Sequence, residues 1–123
     1  MINEDYVSCP TARLLKDKGF DVPCRAYYDI GALKEDMAVA RDWSHSDYID
    51  HTSAPTFQMA MKWLREMHDI CISVDVKIGG KKYYVCISSV KCGLSYGVLE
   101  DEVWDTFEEA CEESIKYCLE NLL

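Results

Sequence analysis

The densest set of groups able to do chemistry is the run Asp42-Trp43-Ser44-His45-Ser46-Asp47-Tyr48-Ile49-Asp50-His51. Imidazoles and carboxylates crowded in this way are the ligand types that bind divalent metals. His45, Asp47, Asp50 and His51 are the candidate ligands of such a centre. Their spacing matches no standard metal motif, and a polar surface loop gathers the same residue types without binding anything. Thiol chemistry is the second possibility, because a cysteine, a histidine and an orienting group that converge can make a nucleophile. His68 and Cys71 are the nearest such pairing in the chain. A cysteine inside a strand is a poor nucleophile, and no oxyanion feature accompanies this one. There is no G-x-G-x-x-G, Walker loop, G-x-S-x-G or H-E-x-x-H. The sequence therefore names no catalytic residue and implies no cofactor.

The chain holds seven cysteines: Cys9, Cys24, Cys71, Cys86, Cys92, Cys111 and Cys118. The number is odd, and no C-x-x-C or paired-knuckle spacing occurs. They read as reduced, structural thiols in a reducing compartment, where cysteine behaves as a small hydrophobe. The acidic start MINEDYVSCP lacks the basic and apolar regions of a secretory signal, and no apolar run approaches the ~20 residues of a membrane helix. The expected location is the cytoplasm.

The net charge is −9. From Leu99 onward nine acids face only Lys116, so that stretch carries −8 and the first 98 residues only −1. An acidic chain is a poor ligand for phosphate backbones, which bind basic surfaces through counterion release. Glu108, Glu109, Glu112 and Glu113 present carboxylates at helical spacing. Such a ridge can imitate nucleic acid toward a basic host protein, and it is also what an ordinary solvated helix face looks like. Lys77, Lys81, Lys82 and Lys91 gather near a hairpin tip, where lysines discourage strand aggregation or meet an anionic surface.

The elements that must position these groups are legible in part. Ser8 caps a first helix with Pro10 in its first turn and Gly19 closing it. Arg25 to Ile30 is aromatic-rich and reads as a strand ending at Gly31, with one ring of Tyr27-Tyr28 turned inward and one outward. Leu33, Met37 and Ala40 stand at helical spacing and predict a short helix over 32–41, followed by a polar loop from Asp42 to Ser53. Thr52 or Ser53 is the expected cap of a second helix, with Pro55 in its first turn. Phe57, Ala60, Met61, Leu64 and Met67 form its apolar stripe, widened by Met59 and Trp63. Ile70, Ile72, Val74, Val76 and Ile78 alternate with other residues in a strand. Gly79-Gly80 predicts a two-residue primed loop that pairs Ile78 with Lys81, Val76 with Tyr83, Val74 with Val85 and Ile72 with Ile87. Leu94 to Leu99 adds a shorter strand. Thr106 and Glu109 make a capping box for a last helix, whose inward face runs from Phe107 through Ala110, Cys111, Ser114, Ile115, Cys118 and Leu119 to Leu122.

Three stretches carry a resemblance: Ser8-x-x-Thr11-Ala12-x-Leu14-Leu15-Lys16-x-Lys18-Gly19-Phe20; Ala54-Pro55-Thr56 running into Lys62-Trp63-Leu64-Arg65-Glu66; and Thr106-Phe107-Glu108-Glu109-Ala110. In these the chain resembles small uncharacterised proteins encoded by phages and mobile elements of gut bacteria. The resemblance implies an accessory protein of a mobile genome, with the segment after Gly31 extended. The helix–strand–strand–strand–helix order of the second half is also that of a double-stranded-RNA-binding domain. That domain uses lysines at the start of its last helix to span a major groove, where this chain has Phe107-Glu108-Glu109.

The expected fold is α+β, an antiparallel sheet built around a β-hairpin with helices packed mainly on one face, as a single domain over residues 1–123. The expected function is that of a non-enzymatic accessory protein binding a protein partner, without direct nucleic-acid or membrane contact. One alternative is an acidic nucleic-acid mimic presenting Glu108, Glu109, Glu112 and Glu113. The other is a metal-binding protein or enzyme built on the His45–His51 loop.

Overall fold

In the computed structural model, which describes residues 5–46, 50–91, 93, 95–98 and 103–123, helix α1 (Cys9–Asp17) begins and ends as its residues dictate. The Ser8 hydroxyl accepts a hydrogen bond from the Thr11 N–H. At the other end Gly19 takes φ +90°, its N–H reaches the Lys16 carbonyl, and the Phe20 N–H reaches Leu15. This reciprocal pair closes the helix and lays buried Phe20 beside buried Leu15.

The remaining elements are β1 (Ala26–Asp29), β2 (Ala32–Glu35), β3 (His51–Ser53), α2 (Phe57–His68), β4 (Cys71–Val76), β5 (Tyr83–Ser88), β6 (Ser95–Val98) and α3 (Phe107–Asn121). Among the described residues every strand pairing is antiparallel, and the fold is α+β with antiparallel sheets and β-hairpins. The chain divides into two compact units, Met1–Gln58 and Met59–Leu123.

In the first unit the strand order is β2-β1-β3, and α1 packs against β3. The segment after Gly31, a helix over 32–41 by its spacing and extended by the resemblance, is strand β2 followed by a turn, so the helix is corrected and the extended alternative holds for residues 32–35. The cause lies just upstream, where Ile30 (φ +51°) and Gly31 (φ +81°) form a two-residue loop between paired Asp29 and Ala32. Both loop residues have the positive φ of a type I′ turn. The reversal sets residues 32–35 in register with β1, and the ladder satisfies backbone groups that a helix would otherwise have paired. The Asp36 carboxylate then accepts from the Ala38 and Val39 N–H groups and bends the chain. Thr52 and Ser53, expected to cap the second helix, lie in β3 instead. Ser53 Oγ accepts from the Trp43 and Ser44 N–H groups, and the helix starts later, at Phe57. Ala26, Thr52 and Ala54 are buried on one face of the sheet, with Val7, Ala12, Leu15 and Phe20 completing the core. Tyr28, from that same face, donates its hydroxyl to the Val7 carbonyl at 2.7 Å.

In the second unit the order is β4-β5-β6, with α3 packed against β4 and β5. The register pairs Ile72 with Ile87, Val74 with Val85 and Val76 with Tyr83, as period-two burial predicts. The tip departs from expectation. Gly80 donates to the Lys77 carbonyl and Gly79 has φ +81°, which is a type II turn over Lys77–Gly80. Ile78 is therefore not a ladder partner of Lys81 and stands 101% exposed. Thr106 Oγ accepts from the Glu109 N–H to start α3, which buries Ala110, Cys111, Ser114, Ile115, Cys118 and Leu119. Phe107 and Leu122, at its two ends, are only partly covered. On α2, Phe57, Ala60, Trp63 and Leu64 are buried, whereas Met67, expected in the stripe, is exposed. Asp69 takes a left-handed conformation (φ +56°) directly after this helix. Its carboxylate accepts from Ser89 Oγ and from the Val90 and Lys91 N–H groups, tying the end of α2 to the turn after β5.

Candidate functional site

The sequence-nominated ligands are placed separately. Asp42 Oδ1 accepts from the His45 N–H, and His45 Nδ1 lies 2.8 Å from Asp42 Oδ2, so this pair closes its own turn. His51 belongs to β3, and its Nε2 is 3.7 Å from Asp29 Oδ1. Asp50 is exposed, and Asp47 lies outside the described residues. Among the described residues no three histidine, cysteine or acidic side chains are grouped to hold a metal ion.

His51 is instead part of an aromatic layer. Residues 27, 29, 34, 51 and 53 share one face of the first sheet by alternation and register. Trp43 folds over that face and stacks on Tyr27 with ring centroids 4.1 Å apart. The His51 ring is 4.7 Å from Tyr27 and 5.9 Å from Trp43. The indole N–H donates to the Cys24 carbonyl at 2.7 Å, and the Arg41 guanidinium carbon lies 4.9 Å from the Trp43 ring centroid. Both tyrosines of the pair are thus half-buried, where one inward and one outward ring was expected. Trp43 is itself buried, with Tyr27 stacked on its ring and the Arg41 guanidinium over it, so it covers this face of the sheet.

The thiols are placed as structural groups. Cys24, Cys111 and Cys118 are buried, while Cys9, Cys71 and Cys86 are half-buried, and all six are free; Cys92 lies outside the described residues. Burial pushes the Cys24 and Cys118 thiols up to about 12 and the Cys111 thiol up to about 11, with Asp42 and Glu108 adding to the shift at Cys24 and Cys111. A thiol so disfavoured as thiolate is a poor nucleophile and metal ligand.

Glu108, Glu109 and Glu113 are exposed on α3 and Glu112 is half-buried. At the hairpin tip, Lys82 is ion-paired with Asp105, whose neighbour Trp104 bridges to Tyr83.

Exposed apolar side chains occur in both units, in the second at Met67, Val76, Ile78, Val90, Val103 and Phe107, and those of the first unit fall on a stretch the sequence did not single out. Ile30, Leu33, Met37 and Val39 are 82%, 44%, 69% and 41% exposed, and they come from a single ten-residue stretch. Strand β2 is the end of its sheet, and all four of its residues are exposed. The hydrogen-bond alternation shows which way its backbone points. Asp36 N–H donates to the Arg25 carbonyl, so in this ladder the residues bonded to β1 are 32, 34 and 36. The N–H and C=O groups of Leu33 and Glu35 consequently face the open edge. Lys34 turns to the opposite side and pairs with Asp29 at 3.1 Å. The sequence signal for this edge was faint, because Leu33 and Met37 look like the inward face of a helix.

Set beside known protein families, curated proteins and solved structures, the chain matches none.

Proposed function

We propose that this chain is a non-enzymatic accessory protein that works by binding a protein partner through the apolar surface around β2. The observation that carries the reading is Ile30. A β-branched residue at positive φ is disfavoured by about 1–2 kcal/mol, and asparagine or glycine is the ordinary occupant of this turn position. Ile30 nevertheless occupies it and is 82% exposed, so burial does not offset the strain. A strained, exposed, apolar side chain within ten residues of exposed Leu33, Met37 and Val39 is the composition of a contact surface. A protein partner suits it better than a nucleic acid, because the chain carries −9.

The free thiols among the described residues are those of a reducing interior and support a cytoplasmic setting. Among the described residues no helix is long and apolar enough to cross a membrane. The accessory role follows the resemblance to phage and mobile-element proteins.

Affinity capture from the native host, read by mass spectrometry, tests the proposal when wild type is compared with an Ile30→Asn/Met37→Ser double variant. Both side chains are exposed, so the variant should keep its circular dichroism spectrum. A partner retained by wild type and lost by the variant is the expected result. Equal retention by both proteins would refute the assignment of function to this surface.

A further inference from the structure

We propose that the open edge of β2 accepts an extended, basic and apolar segment of a partner protein as an additional antiparallel strand of the first sheet. The inference rests on the partner-binding reading above and names the partner's chemistry.

Main-chain pairing requires an edge with outward donors and acceptors, and Leu33 and Glu35 supply them. Natural proteins protect such edges by shortness and by charges that point along them. Here the shortness is present, but the lysine that would guard the edge is engaged elsewhere. Lys34 is held by Asp29 on the opposite face from Leu33 and Glu35. Arg25, whose carbonyl accepts from the Asp36 N–H, donates its guanidinium to the Met37 carbonyl at 2.8 Å. The acids are differently placed. Glu35 is exposed on the Leu33 face and makes no ion pair among the described residues, whereas Asp36 gives its carboxylate to backbone N–H groups and stands opposite Arg25 in the ladder.

Charge therefore selects the occupant. An incoming strand sets an apolar residue against Leu33 and a basic residue against Glu35, since opposite charges directly across a ladder stabilise it and like charges destabilise it. Ile30 and Met37, at the two ends of the edge, extend the apolar contact along the added strand. A second copy of this chain is disfavoured in turn. A self-pairing centred on Lys34 sets Lys34 against Lys34 and one centred on Glu35 sets Glu35 against Glu35, whereas one centred on Leu33 meets no like charge and is opposed by the net repulsion of the two copies alone. The −9 charge on each copy adds to the repulsion.

The test uses the isotope-labelled full chain and two short peptides, one repeating Val-Thr-Lys-Thr, so that valine and lysine fall two residues apart as Leu33 and Glu35 do, and the other with glutamate in place of each lysine. The lysine peptide should shift the amide resonances of Leu33 and Glu35 and bind about tenfold more tightly than the glutamate peptide, with the preference shrinking as salt is raised. Leu33→Pro should abolish the shifts while keeping the β1–β2 hairpin, because the Leu33 N–H is not part of that ladder. Glu35→Lys, which leaves the backbone edge intact, should reverse the preference between the peptides. Equal binding of both peptides, shifts elsewhere on the protein, or no shifts at all would overturn the proposal. So would a concentration-dependent dimer that protects Leu33, since it would assign the edge to a second copy. If the peptides fail while Ile30→Asn/Met37→Ser still loses a captured partner, the basic-strand inference falls and the partner-binding reading stands.

Discussion

Replacing Ile30 by asparagine should make the protein more stable, although it exchanges an apolar residue for a polar one. The isoleucine sits at φ +51° in the first position of a type I′ loop. An L-residue in that region costs about 1–2 kcal/mol, and branching at Cβ keeps it at the upper end. Complete burial of isoleucine would be worth about 1.5–3 kcal/mol. With 82% of the residue exposed, less than a fifth of that is at stake, or about 0.3–0.5 kcal/mol. The difference leaves asparagine ahead by about 0.5–1.5 kcal/mol, which raises the melting temperature by roughly 2–6 °C for a chain of this size. Ile30→Gly should gain less, because glycine relieves the same strain but adds unfolded-state freedom worth about 0.5–1 kcal/mol. Thermal and urea unfolding followed by circular dichroism would rank the three proteins. The reasoning also requires that Ile30→Asn weaken partner capture while it raises stability. A destabilised Ile30→Asn protein of unchanged fold would show that Ile30 is not strained, and the argument from Ile30 to a contact surface would collapse with it.

Trp63, 5% exposed on α2, should cost about 3–5 kcal/mol when truncated to alanine; an unchanged urea midpoint would show that it is not core. The Asp69 carboxyl is held below its ordinary value of 3.8 chiefly by the Ser89 hydroxyl, then by the Lys91 and Val90 N–H groups and the Lys91 charge, against a smaller opposing effect of burial. Its contribution to stability is therefore present above pH 3.8 and lost as the pH falls through the lower folded value; Asp69→Asn should flatten that acid limb, and an unaltered limb would refute the assignment. The buried thiols act with the opposite sign. Cys24, Cys111 and Cys118 are raised from 9.0 to about 12, 11 and 12. Their stabilisation is full below pH 9 and declines as the pH rises through the folded values. Thiol labelling of native protein at pH 8 should accordingly reach Cys9, Cys71 and Cys86 well before these three, and labelling in the reverse order would contradict the burial assigned to them.

The parts of the fold that were readable in advance are those whose determinants are neighbours in sequence. Ser8 and Gly19 bound α1 through bonds to residues three to five positions away. Thr106 does the same for α3. The β4–β5 register follows from alternation over six residues in each strand, since slippage by one residue would move every buried side chain to the wrong face. What was not readable depends on distant partners. Ile30-Gly31 gives no Asn-Gly-type signal, so residue patterning alone hid the reversal that makes β2 a strand and the helical spacing of Leu33 and Met37 misled, while the extended alternative came from the resemblance and not from the residues' spacing. Three-residue β3 is too short to show a period, and its place is set by pairing with residues 27–29. Asp69 looks like any helix-terminal acid, because the groups it binds come twenty or more residues later.

The same distinction explains why the candidate site does not lie where the chemistry looked densest. Histidine, cysteine and acidic side chains draw attention in a sequence because they can do so much, but each also has strong local uses. His45 is closed onto Asp42, His51 is set between Asp29 and two aromatic rings, and three thiols are buried with their thiolates disfavoured. Isoleucine, leucine, methionine and valine have only one inexpensive use, which is burial. In Ile30, Leu33, Met37 and Val39 that use is left unfulfilled along an edge whose backbone groups at Leu33 and Glu35 also point outward. Scattered exposed apolar residues need no explanation. Here four of them fall within ten residues on and around one strand that has outward backbone donors and acceptors, and one is held in a conformation its side chain opposes. A partner strand would cover the apolar side chains and pair the backbone groups in one step, and it would also give Ile30 the contact that its strained position otherwise lacks.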